Sequence, residues 1–452
     1  MLDKHGLLSA PIGVVLRKMA IPTTLGMLAV LMFNLVDTFF ISLLGTAPLA
    51  AVSFTFPITF ALNCIGMGLG VGVSTHVGRL LGKGQHRQAA LFTTHGILLA
   101  AGLITLASTF GWLTIDRLFS LIGANSTLLP LINQYMSIWY VAIPLLVIPM
   151  VGSSAIRSSG DTKTPAVIMV GSGVINGALD PLLIFGYGPF PQLGIQGAAI
   201  ASGFSWVFAC SGIVFVLIRR KQLLCRPCCA QIIRHWRCIL KIGTPAGFST
   251  AMTPLFGAIL MSLLSQHGNA AVAAYGAAQR IESLLILVTM SLTSALTPFM
   301  SQNLGAHNPQ RSFSGLFLSM RFSVVFQCGL FAIMLPLNSA LATLFSHDHQ
   351  VQHYLSQYLL LVPISYGFQG VVMMLISALN ALHQPKSSLA WSVLRLFALA
   401  LPCAWLGSYL YGAEGLFAGI AMGNILGGIL GYCYTLQLKR HHISSSVSDS
   451  SE

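Results

Sequence analysis

Apolar windows of twenty or more residues recur along the whole 452-residue chain, separated by short polar or glycine-containing connections. At about 1.5 Å per residue, each window can cross a hydrocarbon layer of about 30 Å. The pattern predicts twelve membrane-spanning helices near residues 14–43, 50–80, 92–114, 132–154, 164–186, 194–218, 240–265, 271–302, 314–338, 352–380, 388–410 and 414–436. The expected fold class is therefore an all-α polytopic membrane protein. Composition agrees, because 55% of residues are hydrophobic and only 7% charged, against about 25% charged in an ordinary soluble domain. The first apolar stretch, "LLSAPIGVVL", runs into Arg17 and Lys18 with no small-residue cleavage site, so the first span is expected to remain in the mature protein.

A net charge of +13 would suit a nucleic-acid partner if the basic residues formed a patch, but they alternate between connections. One set holds Arg79, Lys83 and Arg87, then Arg157 and Lys163, then the run from Arg219 to Lys241, then Arg311, Lys386, Lys439 and Arg440. The other set, "GTAPLA", "QHGNAA" and "GAEG", has no Lys or Arg, and Arg117 is its one clear basic residue. By the positive-inside rule the first set is cytoplasmic. Both termini then face the cytoplasm of a plasma (bacterial inner) membrane, and no nucleic-acid partner is expected.

An internal repeat appears at an offset of 223 residues. "VLRKMAIPTT" lies over "CILKIGTPAG", placing Lys18 on Lys241 and Pro22 on Pro245. Gly45 then falls on Gly268, "GRLLGKGQHRQA" covers "SQNLGAHNPQRS", and "SAIRSSGDTK" covers "SALNALHQPK". Further on the offset drops to 218, where "GIQGAAIAS" meets "GAEGLFAGI". Six helices per copy is an even number, so the copies share one orientation and a pseudo-twofold along the membrane normal follows, as in transporters that rock two bundles. The expected domains are an N-lobe at 1–218, a basic cytoplasmic linker at 219–238, a C-lobe at 239–437 and a disordered tail at 438–452.

Chemistry is sought where the repeat loses its symmetry. Asp37 projects onto Leu260, Asn176 onto Leu399 and Asp180 onto Cys403. An architectural polar group should recur in the second copy, and an aspartate at a helix centre costs about 2.5–3.5 kcal/mol to insert. Asn34 and Asp37 are three residues apart and Asn176 and Asp180 four apart, so each pair shares a helix face. Facing one another, they would form a polar pocket that binds H⁺, or Na⁺ through carboxylate, carbonyl and hydroxyl oxygens; a hydrogen-bonded polar clamp between helices is the alternative. Two enclosed carboxyls would titrate as a unit.

Other signals are weaker. "QRIES" places Arg280 and Glu282 inside the eighth span, where a buried ion pair is expected and contact with substrate or ion is the alternative. Arg395 is either their partner or a cavity contact. The glycines of "GMGLGVGV" match no phosphate loop and read as close helix packing. Four cysteines in "CRPCCAQIIRHWRC" with His235 lack a second C-x-x-C pair, so reduced thiols are expected in place of a metal. His347 and His349 beside Asp348 read as a solvated outer loop.

At "IPTTLGMLAVLMFNLVDTFFISLLG", "NGALDPLLIFG" and "RIESLLILVTMSLTSALTPFMSQNLGA" the chain resembles the multidrug and toxic compound extrusion (MATE) family, in the branch with its essential acids in the N-lobe. The resemblance implies that Asp37, Asn176 and Asp180 match the family's proton or sodium site. It places a further hydroxyl at Ser202, and makes Pro22 the point at which the first helix bends. The resulting expectation is an antiporter that exports amphipathic organic cations in exchange for H⁺, with Na⁺ as the alternative ion and no other cofactor, acting as a monomer. A lipid-linked precursor flippase is the alternative, although phosphate cargo calls for more embedded Arg and Lys. A membrane enzyme would need a His, Asp or Glu constellation that the sequence lacks.

Overall fold

In the computed structural model, residues 6–188 and 191–448 are described, with side chains to 442. The helices of the first half are α1 (Ile12–Ser42), α2 (Thr46–Gly82), α3 (His86–Leu113), the short α4 (Ile115–Leu121), α5 (Leu129–Ala142), α6 (Pro144–Ser158), α7 (Lys163–Phe185) and α8 (Ile195–Phe215). Those of the second half are α9 (Cys229–Ser265), α10 (Asn269–Leu285), α11 (Leu287–Gly305), α12 (Pro309–Phe345), α13 (His349–Leu361), α14 (Tyr366–Ala381), α15 (Pro385–Val393) and α16 (Leu401–Ser448).

Among the described residues, nine helices are long and apolar enough to cross a membrane, and two bent pairs raise the number to eleven. The continuous segment Pro385–His442 has 58 residues, which at 1.5 Å each is about 87 Å, too long for one crossing. It is divided at Tyr411 and Gly412, where Gly412 takes φ 65 and ψ −145, a conformation open to glycine. Twelve crossings result, as the apolar pattern predicts.

Two of those crossings are broken, which the apolar pattern did not anticipate. α5 and α6 meet at 42° and α10 and α11 at 45°. Pro144 opens α6 and has no N–H to continue the ladder of α5. The break at Ile286 carries no such residue.

The chain forms two compact units, one of residues 21–247 and the other of residues 6–20 with 248 onward. The boundaries differ from the expected 218 and 239. The second unit takes the start of α1, and the first unit takes the first half of α9. The segment at 229–238, expected as linker, is already helical in α9, and the tail expected to be disordered continues α16 to Ser448. Residues 449–452 lie outside the described residues.

Within the first unit, glycines set how closely α9 approaches α2. A Cβ on Gly68 would lie 2.3 Å from the Gly243 carbonyl oxygen, and one on Gly72 would lie 2.6 Å from that of Ile239. From the other side, Gly243 and Gly247 come within 3.0 Å of carbonyl oxygens on α2. Gly68 and Gly72 thus interlock with Gly243 and Gly247 as two small-xxx-small stripes. This is the packing role read for "GMGLGVGV".

The same unit is tied at its loops. Asp161 accepts hydrogen bonds from Thr164 N at 3.0 Å and Thr164 Oγ1 at 2.8 Å, and pairs with Lys221 Nζ at 2.9 Å. Burial pushes this carboxyl up, but the Lys221 and Thr164 bonds outweigh it and hold it below its ordinary value of 3.8.

Two predictions follow from these seams. Gly68→Ala should destabilise the detergent-purified protein by about 1–3 kcal/mol through overpacking, whereas Gly276→Ala, with nothing within 4 Å, should leave its melting temperature unchanged. Because the folded Asp161 is the stronger acid, its stabilisation is present above the unfolded value and is lost as pH falls through the folded one. Asp161→Asn should therefore lower stability at neutral pH by about 1–2 kcal/mol, and the difference should vanish on acidification below the carboxylate range.

Candidate functional site

Helix α7 carries small residues on the face it turns to α1. Gly26 approaches Ala166 of α7, Phe33 lies over Gly173, where a Cβ would be 1.6 Å from the ring, and Val36 lies at 3.7 Å from Gly177. Phe40 then meets Phe185 with ring centroids 6.3 Å apart. The paired positions rise together along both helices, so α1 and α7 run parallel. That register carries Asp37, one residue past Val36, alongside the turn that bears Asp180. A side chain at Gly173 would displace Phe33 and open the seam.

On its other side α7 packs antiparallel to α8. Gly197 sits 2.5 Å, Cβ to oxygen, from the Leu183 carbonyl, and Ser172 Oγ donates to the Ser205 carbonyl at 2.7 Å. Ser202 of α8 is thereby brought to Asn176. The Asn176 amide Nδ2 donates to Asp180 Oδ1 at 3.3 Å and to Ser202 Oγ at 3.5 Å. Asp180 is 0% exposed and Asn176 8%.

Asp37 lies near enough to bear on Asp180, and both bear on Tyr135 of α5, which is itself buried. Asp37 Oδ1 and Asp180 Oδ2 are buried without a hydrogen-bond partner. Each carboxylate therefore keeps an oxygen free inside the helix bundle, an expensive arrangement unless something binds there. A proton fits this geometry. So does a hard cation, for which unpartnered carboxylate oxygens are the preferred ligand type.

The structure therefore assembles Asp37, Asn176, Asp180 and Ser202 within one unit. It does not bring Asn34 to them: that side chain is exposed, although it shares a helix face with Asp37. Pro22 lies inside α1, next to the boundary where the chain passes from one unit to the other. Tyr135 is the member that the sequence reading missed. A signal was present, because the 223-residue offset carries Tyr135 onto Tyr358, another buried tyrosine.

The remaining candidates sit in the second unit. Arg280 is exposed and forms no ion pair with Glu282, because residues two apart on a helix point to different faces. Glu282 instead accepts from the Tyr358 hydroxyl at 2.8 Å and faces Arg395 electrostatically. The cysteines are free, and no group of three or more His, Cys, Asp or Glu among the described residues could hold a metal. His235 is engaged elsewhere: its Nδ1 lies 2.9 Å from Nδ1 of His95, and its ring stacks on Phe92 at 3.8 Å. Asp348 caps α13, accepting from Gln350 N at 2.8 Å, which accounts for the acid between His347 and His349.

Twelve apolar crossings built from two copies of one unit, with unpaired acids buried in a single copy, define a multi-pass membrane transporter. The MatE family model matches residues 22–182 and again 245–406, and the two matches begin at Pro22 and at its repeat mate Pro245. The chain belongs to the MATE family of multidrug and toxic compound transporters, which are not enzymes. Over 438 residues it is 48% identical to a protein of Shewanella oneidensis named "FAD transporter", covering 96% of each chain. It is 23% identical over 426 residues to "Multidrug export protein MepA" of Staphylococcus aureus, covering 92% of each. Among solved structures, the Vibrio cholerae MATE transporter VcmN in its bent form is 30% identical with a TM-score of 0.91, covering 95% of this chain and 97% of that one. A Pyrococcus furiosus transporter of the MOP superfamily, 23% identical with a TM-score of 0.89 over 99% of both chains, shares the fold.

Because Asp37 lies near enough to bear on Asp180, replacing either should change the environment of the other. Asp37→Asn and Asp180→Asn are expected to be non-additive in a thermal double-mutant cycle, with a coupling of about 0.5–3 kcal/mol. Additive effects would mean that the two carboxyls titrate independently.

Proposed function

We propose that this protein is a secondary exporter of flavin dinucleotide, FAD, driven by H⁺ entering at the Asp37–Asp180 pair, with Na⁺ as the alternative ion. The observation that carries the substrate is the 48% identity, over 96% of both chains, to the protein named "FAD transporter". Identity of that extent preserves helix packing and most pocket chemistry together. The coupling rests on the two orphaned carboxylate oxygens inside the first unit. Flavin and adenine rings supply stacking area for aromatic walls, so the cargo is amphipathic as expected from the sequence, but its diphosphate makes it an anion.

That change of sign alters the mechanism. A cationic drug and a proton can compete for one carboxylate, so protonation ejects the drug. A diphosphate gains when nearby carboxylates are neutralised, so simple competition would give symport. Export against H⁺ entry then requires that protonation change the conformation of α1, with Pro22 as the bend, so that the proton-loaded state holds cargo less well by geometry. The protein would work as a monomer in the bacterial inner membrane with both termini cytoplasmic.

Amphipathic organic cations are a second cargo class, favoured by the likeness to MepA and by the acidic pocket. Everted membrane vesicles discriminate between the two. With an acid-inside gradient, wild type should accumulate FAD, and collapse of the gradient or Asp37→Asn should reduce accumulation by about tenfold or more. Ethidium accumulation without FAD accumulation would select the cationic class, and a response to Na⁺ alone would move the coupling ion.

A further inference from the structure

The two copies of the repeat keep one buried tyrosine and surround it with opposite chemistry. Tyr135 in the first unit has Asp37 and Asp180 about it. Its mate Tyr358 in the second unit has Glu282, which in turn faces Arg395. At the same offset Arg395 projects onto Ser172 and Glu282 onto Thr59. Ser172 simply donates to a backbone carbonyl, so the architecture does not call for a cation at that position. Arg395 is an addition confined to the second copy.

Its setting is unusual for a structural arginine. The side chain is 7% exposed and its Nε is buried with no hydrogen-bond partner. It stands in the π-helical segment Leu394–Ala400 that joins α15 to α16, a distortion often found at functional sites. No direct ion pair joins it to Glu282 among the described residues. The Glu282 carboxylate is instead engaged by the Tyr358 hydroxyl at 2.8 Å, which lies 3.3 Å from the Tyr366 hydroxyl. The tyrosines thus draw the anion's hydrogen bonds away from the guanidinium. A buried arginine retained only for stability would form a bidentate pair with the carboxylate, because an unfilled guanidinium in a low dielectric is costly.

The cluster is not sealed. Glu282 is only partly buried and Gln279, one turn earlier on α10, is exposed. Gln279 Nε2 donates to Tyr275 Oη at 2.9 Å, and the Tyr275 ring lies 6.0 Å from that of Tyr358. A polar side chain and aromatic rings therefore connect an accessible position to Tyr358, with Phe417 at 5.2 Å from Tyr358.

We propose that Arg395 is a binding residue for the diphosphate of a dinucleotide cargo, its guanidinium, with an unpartnered Nε, taking the phosphate oxygens while Glu282 balances its charge when no cargo is bound. This inference rests on the flavin dinucleotide reading and deepens it. The repeat is then specialised, with acids in one copy for the driving ion and a guanidinium in the other for the anionic group. Arginine suits a diphosphate because its planar fork donates two parallel charge-assisted hydrogen bonds.

Binding to purified protein, followed by flavin fluorescence, tests this with FAD and with riboflavin, which has no phosphate. Arg395→Gln and Arg395→Lys should each weaken FAD about tenfold or more, the size expected for lost charge-assisted hydrogen bonds. Riboflavin binding should stay within about twofold of wild type, which also shows that the variants are folded. Glu282→Gln should tighten FAD, because it removes the competing charge. If Arg395→Gln does not fold, Arg395→Lys and Glu282→Gln still decide. FAD binding unchanged in the Arg395 variants, or weakened by Glu282→Gln, overturns the inference and leaves the FAD reading intact. Wild type that does not bind FAD overturns both.

Discussion

A carboxylate inside hydrocarbon has to be neutralised, paired or bound, and that constraint organises this protein. Asp37 and Asp180 lie in the same unit, Asp37 bears on Asp180, and each retains a buried oxygen with no partner. Their proximity is produced by packing. Phe33 over Gly173 and Val36 beside Gly177 fix the register of α1 on α7, and α8 then supplies Ser202 through the Asn176 amide. The polar cost of about 2.5–3.5 kcal/mol per acid is met by ordinary apolar contacts on either side.

The duplicated architecture allows such a cost to be confined to one copy. Both copies supply six crossings, a proline in the first helix and a buried tyrosine at equivalent positions, Tyr135 and Tyr358. What differs is the charge around that tyrosine. The first copy has two acids and an amide, and the second has one acid held by tyrosines next to an arginine whose Nε is unpartnered. One scaffold thus presents two electrostatic environments.

Much of this was legible in the sequence for identifiable reasons. Membrane helices announce themselves because twenty apolar residues have few other uses, and the repeat at 223 residues coincides with the starts of the two family matches. Asp37, Asn176 and Asp180 stood out because they broke that repeat. Tyr135 did not, because a tyrosine in an apolar helix looks ordinary, and only its alignment with Tyr358 across the repeat marks it. The break at Ile286 has no local signal, since both flanking residues are apolar and neither is glycine or proline. Asn34 shares a face with Asp37 yet its side chain is exposed, because sharing a face does not fix which neighbour that face meets. The 229–238 segment was read as linker from its charge, yet His235 stacks on Phe92 and Trp236 donates to the His95 carbonyl at 2.9 Å, contacts that only the folded unit reveals.

The acid pair as the port of the driving ion is the claim most exposed to direct measurement. Purified protein in liposomes carrying an internal pH dye can be given external FAD with no imposed gradient. FAD entry through an antiporter should move H⁺ out and make the lumen alkaline, and Asp37→Asn and Asp180→Asn should each abolish that signal. FAD entry with no pH change in wild type, or an undiminished pH change in either variant, would contradict it.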